Sequence, residues 1–330
     1  MKLIGLEEHF VFPDIIKVWE KLGQNTHDLS FKASSEGGTG RKLLDFGEER
    51  LLSMENTGID IQVLSLTSPR VQNLKSDDAI ALQEVSNNLL KETIRKNPDH
   101  YQGFATLATS TPQKAAYELE RAVFKLGLNG AMLFGRTGER NLSDPFFLPI
   151  FEAASEMNVP LYIHPQSPLV PIRNIYYNGF TSKLDSAFST FGIGWHYETG
   201  IQLIRLIMSG VFDRFPTLKI ITGHWGELVM FYLDRIDKLS GIAKLERTIS
   251  EYFKTNIFIT PSGMLSHRYL QWAVEIIGVE NILFSTDYPF EFAPNNGSRN
   301  FIESSNLSEN DKEKIVNGNW SEICSAIKRL

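Results

Sequence analysis

Eight short apolar runs, each separated from the next by a longer stretch, constrain the fold of this chain more than any other feature. The runs are KLIGLEEHF, IDIQVLSL, YQGFATLA, GLNGAMLF, VPLYIHP, LKIITGHWG, NIFITPSG and NILFSTDYPF. Each is rich in Val, Ile, Leu or Phe and is bounded by Gly, Pro, Asn or Ser, the signature of a buried strand. Between them lie amphipathic patterns such as SDDAIALQEVSNNLLKETIRKNP, TPQKAAYELERAVFKLG and PFFLPIFEAASEMN. The first opens on Asp77 and Asp78, closes on Arg95 and Lys96, and stops at Pro98, as a helix should.

Eight such units over 330 residues, with no composition break to mark a linker, predict one α/β domain spanning 1–330, a (β/α)8 or TIM barrel. A doubly wound sheet is the main competitor. It would be favoured by a Gly-rich phosphate loop after the first strand, and EEHFVF is no such loop. The stretch around 24–45, including KASSEGGTGRK, is long, polar and Gly-rich. It reads as a loop inserted over the first strand's exit, a candidate lid.

A formal net charge of −6 argues against nucleic acid or an anionic membrane as the main partner, since both need a basic face. A local basic pocket for a small anion stays open. Cys324 is the sole cysteine, so no internal disulfide and no Cys-based zinc site can form. No apolar run approaches a membrane span, and the acidic N-terminal stretch is unlike a signal peptide. The expected compartment is a reducing cytoplasm.

A barrel of this kind builds its active site at the C-terminal ends of its strands. Those ends carry Glu7 and His9 on strand one, His164 on strand five, His224 on strand six and Asp287 on strand eight. Each has an ordinary structural reading. His164 could be a core histidine satisfied by a carbonyl, and His224 and Asp287 could cap the following helices. Their coincidence on one edge is what favours a site. Residues i and i+2 of a strand share a face, so Glu7 and His9 point into one space and Glu8 into the other, among the surrounding helices. Imidazole and carboxylate without thiolate suit a divalent ion such as Zn2+ or Mn2+, with positions left open for water or substrate.

The motifs GLEEHF, LSLTSPRVQ, YIHPQSP, GWHYETG, RLIMSGVFDRFP, GHWGE and FSTDYPFE span nearly the whole chain. Together they resemble the amidohydrolase superfamily, and within it the metal-dependent, non-oxidative decarboxylases of aromatic acids. Hydrolases of that superfamily usually carry His-x-His on strand one. The γ-resorcylate and related decarboxylases carry Glu-x-His, and here the residues are Glu7-Glu8-His9. Many binuclear relatives have a bridging lysine at the end of strand four, whereas GAMLFGR has none, which argues for a single ion.

The resemblance implies Glu7, His9, His164 and Asp287 around one divalent metal ion. It places His224 with Glu227 and Asp287 in a proton-managing triad, and Arg235 of YLDRID near the substrate. It also implies a small aromatic carboxylate substrate and a homodimer or homotetramer. The segment GELVMF departs from the relatives' GEGLPY, and the loop between His9 and Asp45 matches nothing closely. Both border the pocket, so the particular acid stays open. Hydrolysis of a lactone, amide or ester through metal-bound water is the alternative chemistry for the same residues, and a catalytically silent barrel the third. His27, His100, His196 and His267 read as structural, His27 with the least assurance because its loop is the candidate lid. Trp195 and Tyr288 read as packing.

Overall fold

The computed structural model describes residues 1–21 and 28–329, so His27 and the first residues of the 24–45 insertion lie outside the described residues. Seven of the eight runs form parallel strands. They are β1 (Ile4–Phe10), β2 (Ile61–Leu66), β3 (Tyr101–Gly103), β4 (Ala131–Phe134), β5 (Pro160–His164), β6 (Lys219–Thr222) and β7 (Ile257–Ile259). β1 pairs with β2 and β2 with β3, while β4, β5, β6 and β7 pair in chain order. A bridge between Ala105 and Ala131 joins the two groups.

The eighth run closes the ring without forming a regular strand. Ile282 bridges Ile259, and the amides of Leu6 and His9 donate to the carbonyls of Phe284 and Tyr288 at 3.0 and 2.7 Å. The reason for its irregularity is chemical. The Thr286 amide donates to the Glu8 carboxylate at 2.8 Å, and the Ser285 hydroxyl accepts from the Ser262 amide at 2.9 Å. Side chains thus take hydrogen bonds that a ladder would otherwise give to backbone. The fold is the expected (β/α)8 barrel.

Inside the ring, Ile4, Leu6, Val63, Phe104, Met132 and Tyr162 fill the lower layers. Trp320, on the helix Asn319–Ser325, packs into this inner cluster. Its ring meets Phe104 edge-on at 5.5 Å and its Nε1 donates to Gln102 at 2.8 Å. The interior is therefore packed beneath the strands' C-terminal ends. The helices Ser76–Lys96, Pro112–Phe124 and Leu148–Met157 form where their apolar periodicity predicts them. No helix among the described residues is long and apolar enough to cross a membrane.

Two expectations are corrected. Much of the 24–45 insertion is helical, at Phe31–Ser35 and Gly37–Leu44. Burial overrides its glycine content: Leu43 is fully buried, and its carbonyl accepts from the Val11 amide at 2.9 Å, tying the segment to the end of β1. The helix after β6, which His224 could have capped, is also broken. His224, Trp225, Gly226, Glu227 and Leu228 all have positive φ, between 47° and 83°, before a 3-10 turn at Val229–Tyr232 and a short helix at Leu233–Ile236. Left-handed backbone at a non-glycine residue costs of order 1–3 kcal/mol and persists only where its surroundings over-determine it. Here the fold-back brings the Glu227 carboxylate against His224.

Candidate metal centre and proton relay

Glu7 and His9 do share a face. Both are fully buried, and both point into the mouth of the barrel. One carboxylate oxygen of Glu7, Oε2, accepts from Tyr162 Oη at 2.7 Å and from the Ser262 hydroxyl. The other, Oε1, has no hydrogen-bond partner and lies 3.4 Å from His164 Nε2. Room for this arrangement depends on Gly223. A Cβ there would come within 2.4 Å of Ser262 Oγ and 2.9 Å of Glu7 Oε2.

The two imidazoles are oriented by their outer nitrogens. His164 Nδ1 lies 2.8 Å from the Pro165 carbonyl, which can only accept, so Nδ1 carries the hydrogen and Nε2 the lone pair. His9 Nδ1 sits 3.1 Å from the Ser65 hydroxyl, and its Nε2 has no hydrogen-bond partner, although it lies 3.2 Å from Asp287 Oδ1. Burial keeps both rings neutral, pushing His9 down to about 3 and His164 well below its usual value. The rings meet edge-on at 4.8 Å.

Glu7, His9, His164 and Asp287 thus offer four ligand atoms within 4.8 Å of one another. Burial raises the Glu7 carboxyl, and burial lifts Asp287 to about 7 against the opposing pull of His224. Lone pairs facing lone pairs in a largely buried cluster call for a positive charge between them. Two neutral imidazoles and two carboxylates match the donor set of a hard to borderline divalent ion. The residues fit such an ion.

Beside this cluster stands a second one. Glu227 accepts from His224 Nδ1 at 2.8 Å through one oxygen and contacts His196 Nδ1 at 2.9 Å through the other. Burial alone would push His224 down, but Glu227, helped by Glu7 and Asp287, outweighs it and holds the imidazolium up at about 10. Burial would likewise raise Glu227, and the two histidines overcome it and lower its pKa. The ring centroids of His196 and His224 are 4.3 Å apart. The positive φ of Asp287, 60°, and of Ser262, 44°, continues the strained backbone around this rim.

Of the residues read from sequence, Glu7, His9, His164 and Asp287 converge, and His224 and Glu227 meet beside them. Arg235 is exposed on the short helix after β6, and no ion pair engages it among the described residues. Glu8 does not lie among the helices. It is fully buried between β2 and the eighth run, taking hydrogen bonds from Gln62 and Thr286. His196, read as structural, joins Glu227 and His224 in the second cluster. Nothing in GWHYETG marks it, because its partner Glu227 is brought close only by the left-handed turns after β6. Tyr162 and Ser262 also went unread, being uncharged groups on strand five and just beyond strand seven. His100 and His267 meet backbone carbonyls of Asp60 and Phe301, and Tyr288 packs under the Arg50 guanidinium.

With this geometry in hand, comparison with known proteins places the chain. The amidohydrolase family profile matches residues 41–319. The chain belongs to the amidohydrolase family. It is 35% identical to a γ-resorcylate decarboxylase of Polaromonas sp. strain JS666 over 86% of its own length and 88% of the relative's. The crystal structure of 5-carboxyvanillate decarboxylase from Sphingomonas paucimobilis superposes with a TM-score of 0.90 at 32% identity, covering 99% of each chain. A dihydroxybenzoic acid decarboxylase from Polaromonas sp. JS666, solved with manganese and 2-nitroresorcinol, gives 0.85 at 30% identity, covering 98% of this chain and 97% of the other.

The relay yields a direct expectation. In Glu227→Gln the charge that holds His224 up is gone and burial acts unopposed by it. The His224 pKa should then fall from about 10, with Glu7 and Asp287 left as the groups that oppose burial, read from its ring-proton shifts in an NMR titration. An unchanged titration would remove Glu227 from the relay.

Proposed function

We propose that this chain is a metal-dependent, non-oxidative carboxy-lyase that removes CO2 from a hydroxylated, benzoate-type acid. The observation that carries the reading is the Glu7–His9 pair facing His164 and Asp287, beside a fourth strand that ends in Phe134 rather than in a lysine. In this reading residues 1–330 act as one amidohydrolase-like barrel domain in the cytoplasm. Glu7, His9, His164 and Asp287 hold one divalent ion per chain, Mn2+ or Zn2+. When bound, the ion supplies Lewis acidity toward the carboxylate and an ortho phenolate of the acid.

The side chains do the rest. Asp287 stands among the metal ligands and feels the charge of His224, so it suits the role of acid. It protonates the ring carbon bearing the carboxylate and breaks aromaticity. The C–C bond then cleaves, its electron pair returns to the ring, and neutral CO2 leaves. His224, hydrogen-bonded to Glu227 and within the field of Asp287, is the group that returns a proton to it. One assay tests the reading. Metal-loaded protein is offered hydroxybenzoates, lactones and amides, and CO2 release is compared with acid release. Acid release without CO2 would put a hydrolase in its place.

Elemental analysis is expected to find about one ion per chain, and markedly less in His164→Ala. Because protons compete for Glu7 and Asp287, both raised, the apparent metal affinity should fall as pH drops through about 7. Two tight ions per chain, or full loading of the variant, would overturn the ligand set.

Asp287→Asn should retain the fold and lose essentially all turnover, while His224→Ala should cost about 10²–10⁴ in rate. Product formed in D2O by the wild type should carry deuterium at the carbon that lost CO2. An active Asp287→Asn enzyme would sink the assignment.

Arg235 takes its role from assembly. Its neighbours Phe231 and Tyr232 are 70% and 60% exposed, supporting contact with a second copy in a homodimer or homotetramer. Arg235 then serves the substrate of the adjoining subunit. Arg235→Met should lower kcat/KM by about two orders of magnitude or more with metal content unchanged, in a protein that sediments as an oligomer. Wild-type kinetics, or a monomeric active enzyme, would refute this.

A further inference from the structure

The chain buries three arginines, and two of them are fully engaged. Arg50 donates through Nε to the Asp45 carbonyl at 2.8 Å, through Nη1 to Gln62 at 3.1 Å and through Nη2 to the His9 carbonyl at 2.5 Å. Arg136 donates through Nε to Glu198 at 2.6 Å and through its outer nitrogens to the carbonyls of Gly138 and Ser167, each at 2.7 Å. Arg70 differs. It is 3% exposed, yet its Nε has no partner. Its other contacts are the Met132 carbonyl at 3.4 Å and the Met132 thioether. No carboxylate pairs with it among the described residues.

Its position makes this surplus informative. Arg70 follows β2 with φ of 55°, its amide donating to the Thr67 carbonyl and its own carbonyl accepting from Trp19 Nε1 at 2.8 Å. The guanidinium then lies over the Phe134 ring at 5.4 Å, and that ring is 6.0 Å from His164. Its charge is felt at Glu7, His9 and His164. Glu7 and Asp287 supply two negative charges, matching a divalent ion. Arg70 adds a positive charge that no carboxylate pairs with among the described residues, and a buried cation without a counter-ion is costly unless a ligand brings one.

We propose that Arg70 is the residue that selects acids at this site, its planar fork gripping the carboxylate of the bound aromatic acid. A guanidinium suits the task because it can present two parallel N–H donors to one carboxylate. The inference rests on the carboxy-lyase reading, which it deepens by assigning the contact that distinguishes an acid from its neutral analogue. It also accounts for the Nε hydrogen that the chain itself leaves unmatched.

The test compares 2-hydroxy-5-nitrobenzoate with 2-hydroxy-5-nitrobenzamide on manganese-loaded protein, binding being followed by calorimetry and by nitrophenol absorbance. The nitro group withdraws the electron density that ring protonation needs, so the acid serves as a binding probe. Arg70→Met should bind the acid at least tenfold more weakly and the amide within twofold of wild type, with Arg70→Lys between the two for the acid. Manganese affinity should be unchanged or tighter, because a cation beside the ligands has been removed. Equal losses for acid and amide, or undiminished binding of the acid, would overturn the proposal, and Arg70→Lys supplies the same comparison if Arg70→Met misfolds. The two readings fail separately. Wild type that releases no CO2 but keeps an Arg70-dependent preference for acids refutes the reaction alone, whereas an Arg70→Met enzyme with wild-type KM and turnover refutes the assignment of Arg70 alone.

Discussion

The site depends on a carboxylate that is only half satisfied. Glu7 is fully buried, and the barrel supplies Tyr162 and Ser262 to one of its oxygens and nothing to the other. A buried carboxylate accepts such treatment only if something positive arrives at the open oxygen. The same constraint sets its neighbours. His9 and His164 are kept neutral by burial and have their outer nitrogens occupied, so their lone pairs must face inward. What the fold builds is therefore a set of donors whose mutual repulsion is relieved by a cation.

Strain is concentrated around this cavity. Arg70, His224, Trp225, Glu227, Leu228, Ser262 and Asp287 all hold positive φ without being glycine. They sit where β2, β6, β7 and the eighth run leave the barrel. Regular strand or helix at these points would carry the side chains past one another. Left-handed turns fold them back toward a common centre, and the bonds they make there, such as Glu227 to His224 at 2.8 Å, hold the turns in place.

That division explains what could be read in advance. The barrel was legible because each strand is a short apolar run and because burial on both faces leaves few other uses for such runs. Glu7, His9, His164, His224 and Asp287 were legible because strand ends are where this architecture places chemistry, and a period of two decides which side chain faces inward. The rest depends on backbone turns that spacing does not encode. His196 reaches Glu227 across 31 positions only because β6 ends in left-handed turns. Arg70 stands in LSLTSPRVQ as one more basic residue until its φ turns it into the barrel. Gly37 and Gly38 suggested a loop, and the burial of Leu43 made a helix instead.

Two adjacent carboxylates at the end of the first strand remain to be accounted for, and their roles are complementary. Glu7 faces inward and completes the donor set. Glu8 faces the other way, where its carboxylate takes the Thr286 amide at 2.8 Å and the Thr286 hydroxyl at 2.6 Å. Thr286 directly precedes Asp287, so Glu8 fixes the backbone that presents the fourth of the converging donors. The His9 amide bonds the Tyr288 carbonyl at 2.7 Å on the far side of that donor. Asp287 is thus pinned before and after by residues flanking its own partners on β1, in the one run of the barrel that lacks a regular ladder. Glu7 and His9 come within reach of Asp287 because Glu8 and the His9 amide hold the eighth run in register with β1. In this chain the short segment Glu7-Glu8-His9 carries two of the four converging donors and the tie that sets the position of the last one.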